Sequence, residues 1–191
     1  MKLLHIDSSI LGEQSASRVL TREIVADWQR REPDIEIAYL DLAAEALPHL
    51  SGAALAGQSE VERERNARTL AEFQGADVIV IGAPTYNFAI PSQLKAWIDR
   101  IAVAGKTFRY TESGPQGLAG GKHVIVALAR GGHPDAAAEF VESYLRYVFG
   151  FLGIDDVRFI RAEGLALSAE HRRASLSAAL DTIRTPLAAA A

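Results

Sequence analysis

Two runs of consecutive apolar residues, Val78-Ile79-Val80-Ile81 and Val124-Ile125-Val126-Ala127-Leu128, constrain this chain more than any other feature. Their hydrophobicity is continuous instead of alternating, which marks strands covered on both faces at the centre of a parallel sheet. Around them, β-rich runs occur at Lys2 to Asp7, Glu36 to Asp41, Asp77 to Ala83, His123 to Ala129 and Asp156 to Ala162. Each is followed by a loop and a stretch of helical character. Such alternation selects right-handed crossovers with helices on both faces of the sheet, a doubly wound α/β fold. Ligands of these folds bind outside the carboxyl ends of the strands, where the winding reverses. The loops after the first, third and fourth strands are therefore the places to seek function.

The helices follow from spacing and punctuation. Leu20, Ile24 and Trp28 recur every four residues and Pro33 closes the segment, which predicts the first crossover helix. Further helices are expected over 59–74, 91–103, 136–149 and 168–187, with Pro91 suited to a first turn. The stretch 48–57 is the most loop-like connection, and 187–191 reads as a frayed helix end.

Composition excludes several classes of function. At 191 residues and 49% hydrophobic content, the chain is expected to fold as one domain spanning residues 1–191. It has no cysteine, so disulfides, thiolate metal sites, iron–sulfur clusters and cysteine nucleophiles are out. A net charge of -4 with scattered basic residues argues against nucleic acid as a partner. No run approaches the roughly 20 apolar residues of a membrane helix, and Met1 to Asp7 fits a buried strand better than a secretory leader. A cytoplasmic location without membrane association is the resulting expectation.

The loop after the first strand, Ser8 to Ser17, is rich in hydroxyls, contains Gly12 and runs into the first helix. Free N–H groups at a helix start and the positive end of its dipole favour a phosphate there, with Ser9, Ser15 and Ser17 as donors. A plain N-cap is the alternative for Ser15 or Ser17. After the third strand comes Ala83-Pro84-Thr85-Tyr86-Asn87-Phe88-Ala89-Ile90-Pro91. Tyr86 and Phe88 offer aromatic faces and Asn87 a donor and an acceptor on one amide, a match for a flat heteroaromatic ring. Aromatic anchors packed on the core would read the same way. After the fourth strand, Ala129-Arg130-Gly131-Gly132-His133-Pro134-Asp135 supplies paired glycines that let a ligand approach backbone N–H groups closely. A simple turn is again the alternative. His133 could donate or relay a proton; Arg130 reads as an ordinary surface arginine. Taken together, the three loops fit a mononucleotide that carries a flat ring, and FMN satisfies all three.

Other chemistries lack their motifs. The first loop has only Gly12, so the G-x-G-x-x-G fingerprint fails, and Gln116 and His123 break a P-loop around Gly121-Lys122. No G-x-S-x-G elbow exists. The five histidines are widely separated, without a metal-ligand pair. The acidic cluster of a response-regulator domain is also missing.

The chain resembles the FMN-dependent NADH-azoreductase family, a branch of the flavodoxin-like quinone reductases. The resemblance rests on Asp7-Ser8-Ser9-Ile10, Ser15 with Ser17, Pro84-Thr85-Tyr86-Asn87-Phe88, Ile90-Pro91, Leu94-Lys95, Thr107 to Glu112, Gly114-Pro115, Gly117-Leu118, Arg130-Gly131-Gly132, Phe149 to Ile154 and Ala162-Glu163-Gly164. It implies a flavodoxin-like, five-stranded parallel sheet in the order 2-1-3-4-5. It also implies non-covalent FMN, with Ser9, Ser15, Ala16 and Ser17 at its phosphate and Thr85, Tyr86, Asn87, Phe88, Ala129, Arg130, Gly131 and Gly132 along its ring. NADH as donor, quinones or aromatic azo compounds as acceptors, a ping-pong cycle and a homodimer follow from the same likeness. Thr85 stands where methionine is common in that family, Ala129 where a hydroxyl is frequent and Ala16 where a larger polar residue occurs. The segment 50–74 is shorter than in many members. A flavodoxin-type electron carrier, or an FMN-binding domain without nucleotide turnover, is the rival reading; the strong acidity usual in such carriers is absent.

Overall fold

The computed structural model describes residues 1–57, 59–133 and 139–184. In chain order its strands are β1 (Lys2–Asp7), β2 (Glu36–Asp41), β3 (Val78–Pro84), β4 (Phe108–Thr111), β5 (Gly114–Gly117), β6 (His123–Ala129) and β7 (Val157–Ala162). The α-helices are α1 (Ala16–Arg31), α2 (Gly52–Leu55), α3 (Glu60–Gly75), α4 (Ser92–Ile101), α5 (Phe140–Phe151) and α6 (Ala169–Arg184). Five parallel strands form one sheet in the order β2-β1-β3-β6-β7. This is the order that the resemblance implied, counted over the strands of this sheet.

Side chains alternate across each strand, so β1, β3, β6 and β7 each feed two cores. Leu4, Ile6, Ile79, Ile81, Val124 and Val126 pack on one face against Phe73, Leu94, Trp97, Leu145 and Phe149 of α3, α4 and α5. Leu3, Val78, Val80, Ile125, Ala127 and Ile160 pack on the other against Leu20 and Ile24 of α1 and Ala179 and Ile183 of α6. The central strand β3 is buried throughout, which is why its sequence shows no polar alternation.

Serines set the starts of four helices. Ser15, Ser51, Ser59 and Ser168 accept hydrogen bonds from the N–H groups of Arg18, Ala54, Glu62 and His171, each cap satisfying a donor that the helix cannot. Two local expectations shift. Pro91 precedes the first turn of α4 instead of lying in it, and the 48–57 connection contains the short helix α2. Arg100, fully buried on α4, donates from Nη2 to Pro48 O at 2.6 Å and faces Glu62 Oε1 at 4.0 Å. It thereby pins that connection, with Glu62 of α3 turned toward it. Parts of the helices expected over 136–149 and 168–187, and the whole of 187–191, lie outside the described residues.

The antiparallel hairpin β4–β5 is the element that sequence patterning missed. Phe-Arg-Tyr-Thr and Gly-Pro-Gln-Gly are too short, and the second too rich in glycine and proline, to carry a strand signature. Tertiary contact holds it instead. Phe108 meets Phe151 with ring centroids 4.6 Å apart, Ala119 N donates to Leu152 O at 2.9 Å, and a Cβ on Gly117 would lie 2.1 Å from Gly153 N. Among the described residues, no helix is long and apolar enough to cross a membrane.

Candidate functional site

Strand β1 ends in a buried turn whose hydroxyls are already held in place. Ser8 Oγ donates to Gly82 O at 2.6 Å, so it belongs to the scaffold. Ser9 Oγ lies 3.1 Å from the Tyr86 hydroxyl, which also accepts from Ile10 N at 3.2 Å. A 3₁₀ turn over Gly12–Gln14 then leads into α1. Ser15 caps that helix, as the simple reading allowed, while its Oγ also lies 3.0 Å from Ser17 Oγ. Both serines are buried. The N–H groups of Ala16 and Ser17 fall in the first turn, where a helix offers them no acceptor. Ser9, Ser15 and Ala16 line a cavity of about 180 Å³ that Thr85, Tyr86 and Ala129 complete.

A charged network supports this loop from beneath. Arg18 makes a bidentate pair with Asp41, Nη1 to Oδ2 at 2.7 Å and Nη2 to Oδ1 at 2.8 Å, and Nη2 also donates to Ser9 O at 2.9 Å. Asp7 accepts from Thr21 Oγ1 at 2.9 Å and Tyr39 OH at 3.1 Å, with Arg18 Nη1 at 3.7 Å and His5 Nε2 at 3.5 Å. Arg18, through its hydrogen bonds, holds the Asp41 carboxyl below its ordinary value against the opposing effect of burial. For Asp7 burial works upward, but His5, Thr21 and Arg18 outweigh it and the net direction is down. Burial and then the Asp7 and Asp41 charges push the Tyr39 hydroxyl up to about 12. Nη1 and Nη2 of Arg18 are thus engaged by the Asp41 carboxylate, the Tyr39 hydroxyl and the Ser9 backbone oxygen, while its buried Nε has no hydrogen-bond partner among the described residues.

The second part of the cleft is built mainly from backbone. Strand β3 runs into a tight turn in which Tyr86 N donates to Ala89 O and Ala89 N to Tyr86 O, at 2.9 and 3.0 Å. Its two central residues, Asn87 and Phe88, have φ of 49° and 66°. Side-chain-bearing residues visit this left-handed region at a cost and typically persist there near ligands. Phe88 is 73% exposed, which removes the alternative that it anchors the loop to the core. Opposite, Arg130 N donates to Ala162 O, Gly164 N to Gly132 O, Leu165 N to Arg130 O and Ala166 N to Gly131 O. These bonds turn the carbonyls of the glycine loop toward the loop after β7. A second cavity of about 300 Å³ lies here, lined by Thr85, Asn87, Phe88, Arg130, Gly131 and Gly132 with His133 at its edge.

All thirteen residues singled out by sequence meet along this edge of the sheet. Ser9, Ser15 and Ala16 line the first cavity and Ser17 supports it, Thr85, Arg130 and Gly131 border both, and the remainder belong to one or the other. His133 is exposed, its Nδ1 3.8 Å from Glu163 Oε2; Pro134 and Asp135 lie outside the described residues. One reading needs correction. Arg130 is not a surface arginine: its side chain is 8% exposed, with Nε 3.3 Å from Glu163 Oε1 and Nη1 3.8 Å from Glu139 Oε1. Two carboxylates on neighbouring loops explain why it can be buried.

The site fits the group that the resemblance implied. The larger cavity reaches the lower end of the range that takes small ligands, hydroxyl and N–H donors gather at one end, and an aromatic turn faces glycine backbone at the other. Thr85 Oγ1, buried between the two cavities, has no hydrogen-bond partner among the described residues. Sequence reasoning missed Arg18, Tyr39 and Asp41 beneath the first loop. It also missed the loop after β7 and the first turn of α6, which contribute Leu165 and Ala166, and Arg172, to the first cavity. Only the placement of that loop beyond a strand's carboxyl end could have flagged it.

Residues 1–187 match the flavodoxin-like fold family. The chain is 56% identical over 181 residues to FMN-dependent NADH:quinone oxidoreductase 1 of Xanthomonas euvesicatoria pv. vesicatoria (strain 85-10), covering 94% of this chain and 93% of that protein. It is 54% identical over 196 residues to FMN-dependent NADH:quinone oxidoreductase of Rhizobium meliloti (strain 1021), covering 96% and 95%. Among solved structures, an azoreductase from Bacillus anthracis str. Sterne superposes with a TM-score of 0.85 at 30% identity, covering 96% of both chains. An FMN-dependent NADH-azoreductase from Bacillus anthracis str. Ames Ancestor, solved in complex with FMN, gives 0.83 at 27% identity over 95% and 97%.

Proposed function

Since this chain belongs to the family of FMN-dependent NADH:quinone oxidoreductases on the flavodoxin-like fold, we propose that it is such an enzyme, reducing quinones or aromatic azo compounds with electrons from NADH by a ping-pong cycle. The observation that carries this reading is the meeting of three loops at one edge of the sheet, hydroxyl donors at one end and an aromatic turn facing glycine backbone at the other. FMN, when bound, supplies the redox chemistry, accepting hydride from the nicotinamide and passing electrons to the acceptor.

The protein's part is to hold and to exclude. Ser9, Ser15 and Ser17, with the backbone at Ala16, would bind the phosphate as hydrogen-bond donors at a helix start. Thr85 to Phe88 and Ala129 to Gly132 would line the ring. The carbonyls of Gly131 and Gly132 are engaged by the loop after β7, which frees their N–H groups to stabilise negative charge at the ring's edge. Donor and acceptor would occupy the same face in turn, with exposed Phe88 as a stacking wall. His133, at the mouth, would pass a proton to the reduced acceptor; solvent reaches the same place, so its contribution is modest.

The same proposal includes a single FMN-binding domain, a homodimer and cytoplasmic action, where NADH is generated. Support for the dimer comes from large apolar side chains left exposed on the ring-end turn and on the elements around α5: Phe88, Tyr110 on β4 and Phe140 and Tyr147 on α5. A lone protein rarely exposes such a set without a partner. The test is anaerobic. NADH should bleach the FMN of the loaded protein, a quinone should restore its colour, and steady-state double-reciprocal plots should be parallel. Flavin that stays oxidised under NADH would favour a carrier and overturn the reading.

A further inference from the structure

We propose that Arg172 is a phosphate-binding residue of this site, closing over the 5′-phosphate of FMN from the loop–helix segment that follows β7. The inference rests on the flavin reading above. Arg172 lies in the first turn of α6 and borders the same cavity as Ser9, Ser15 and Ala16. Its Nη2 donates to Gln14 O at 2.7 Å, which fixes the guanidinium beside the residue that precedes the Ser15 cap. Among the described residues its guanidinium engages that one acceptor, leaving most of its five N–H donors for a ligand.

Charge makes this residue necessary. Beneath the serine loop, Asp7 and Asp41 surround Arg18, with His5 beside Asp7, so the scaffold there holds no arginine in excess of its carboxylates where a dianion should bind. Arg130, the other cation bordering the cavity, faces Glu163 and Glu139. Among the described residues, Arg172 has no ion pair with a carboxylate. Of the described residues that line the cavity it is the one uncompensated cation, and a helix dipole with neutral hydroxyls leaves room for it: the dipole alone supplies about 0.3–1 kcal/mol when exposed. A guanidinium can also take two phosphate oxygens at once, which an ammonium does not.

The test is flavin fluorescence quenching on deflavinated protein, titrated with FMN and with riboflavin, for the native chain, Arg172→Ala and Arg172→Lys. Removing the guanidinium should weaken FMN binding about tenfold, the order of one charge-assisted hydrogen bond, and leave riboflavin within twofold. Lysine should restore part of the loss, and the salt dependence of FMN binding should flatten in the alanine variant. Equal losses for both flavins would mean that Arg172 only props the Gln14 turn, and no loss for either would remove it from the site. A raised KM for NADH with unchanged FMN affinity would reassign the arginine to the nucleotide's phosphates and overturn the proposal. If the native chain binds FMN no better than riboflavin, the phosphate subsite fails while flavin binding stands; if it binds neither, the flavin reading falls and this inference with it.

Discussion

At the α1 end of the cleft the ligand-facing groups are hydroxyls held from beneath, whereas at the α5 end they are mostly backbone on exposed turns. Ser9, Ser15 and Ser17 are buried, and Arg18, Asp41, Asp7 and Tyr39 tie the strand ends below them into one network. Asn87, Phe88, Gly131 and Gly132 are exposed, and the aromatic turn is fixed by left-handed backbone instead of side-chain packing. The difference teaches where affinity and tolerance should reside. A preorganised anion site loses much when one donor is removed, while a surface built on main chain accepts varied side chains. Between the two ends, Thr85 borders both cavities and Ala129 the first.

The contrast breaks most readily at the serines. Changing Ser15 and Ser17 together to alanine removes two hydrogen bonds to a charged group, each contributing about 1.5–3 kcal/mol. FMN affinity should fall about a hundredfold or more with riboflavin little affected, as read by fluorescence titration; equal losses would erase the distinction between the two ends. The supporting network comes next. Arg18→Met leaves Asp41 and Asp7 without their cation, and because Asp41 retains some solvent the expected destabilisation is about 2–3 kcal/mol, below the range for a fully buried pair. Thermal unfolding measures it, and FMN affinity should drop in parallel through the released Ser9 carbonyl.

Acid should act on the same end. The carboxyls of Asp7 and Asp41 are held below their ordinary 3.8 in the folded protein. Their contribution is therefore complete above that value and is lost as pH falls through the lowered folded values. FMN release followed by fluorescence should begin below about pH 3.8, and Asp41→Asn should flatten that limb. Smaller effects belong to the ring end. Asn87→Gly removes one amide but relieves left-handed backbone, so stability should change by less than about 1 kcal/mol, and FMN and riboflavin should weaken alike. His133→Ala should slow the acceptor half-reaction by no more than about tenfold, because water can replace an exposed proton donor; stopped-flow re-oxidation by a quinone measures it.

The sheet was legible because its five strands carry their own signal: β3 and β6 are continuous apolar runs, and β1, β2 and β6 have the bounds expected from sequence. Serine caps before α1 and α3 were equally local. What could not be read is held by distant partners. The β4–β5 hairpin depends on Gly153 and Phe151, and Arg130 is buried because Glu163 comes to it from a separate loop. Arg172 meets Gln14 across 158 positions of chain. The three ligand loops were found because the doubly wound topology itself brings strand ends together, while the charges that tune them leave no periodic trace.

The central claim is spatial, and a crystal structure of the FMN-loaded protein tests it most directly. The account predicts phosphate density within hydrogen-bond distance of the Ser9, Ser15 and Ser17 hydroxyls, with the ring between Thr85–Phe88 and Ala129–Gly132. Flavin bound elsewhere on the molecule, or phosphate and ring exchanged between those two ends, would contradict it.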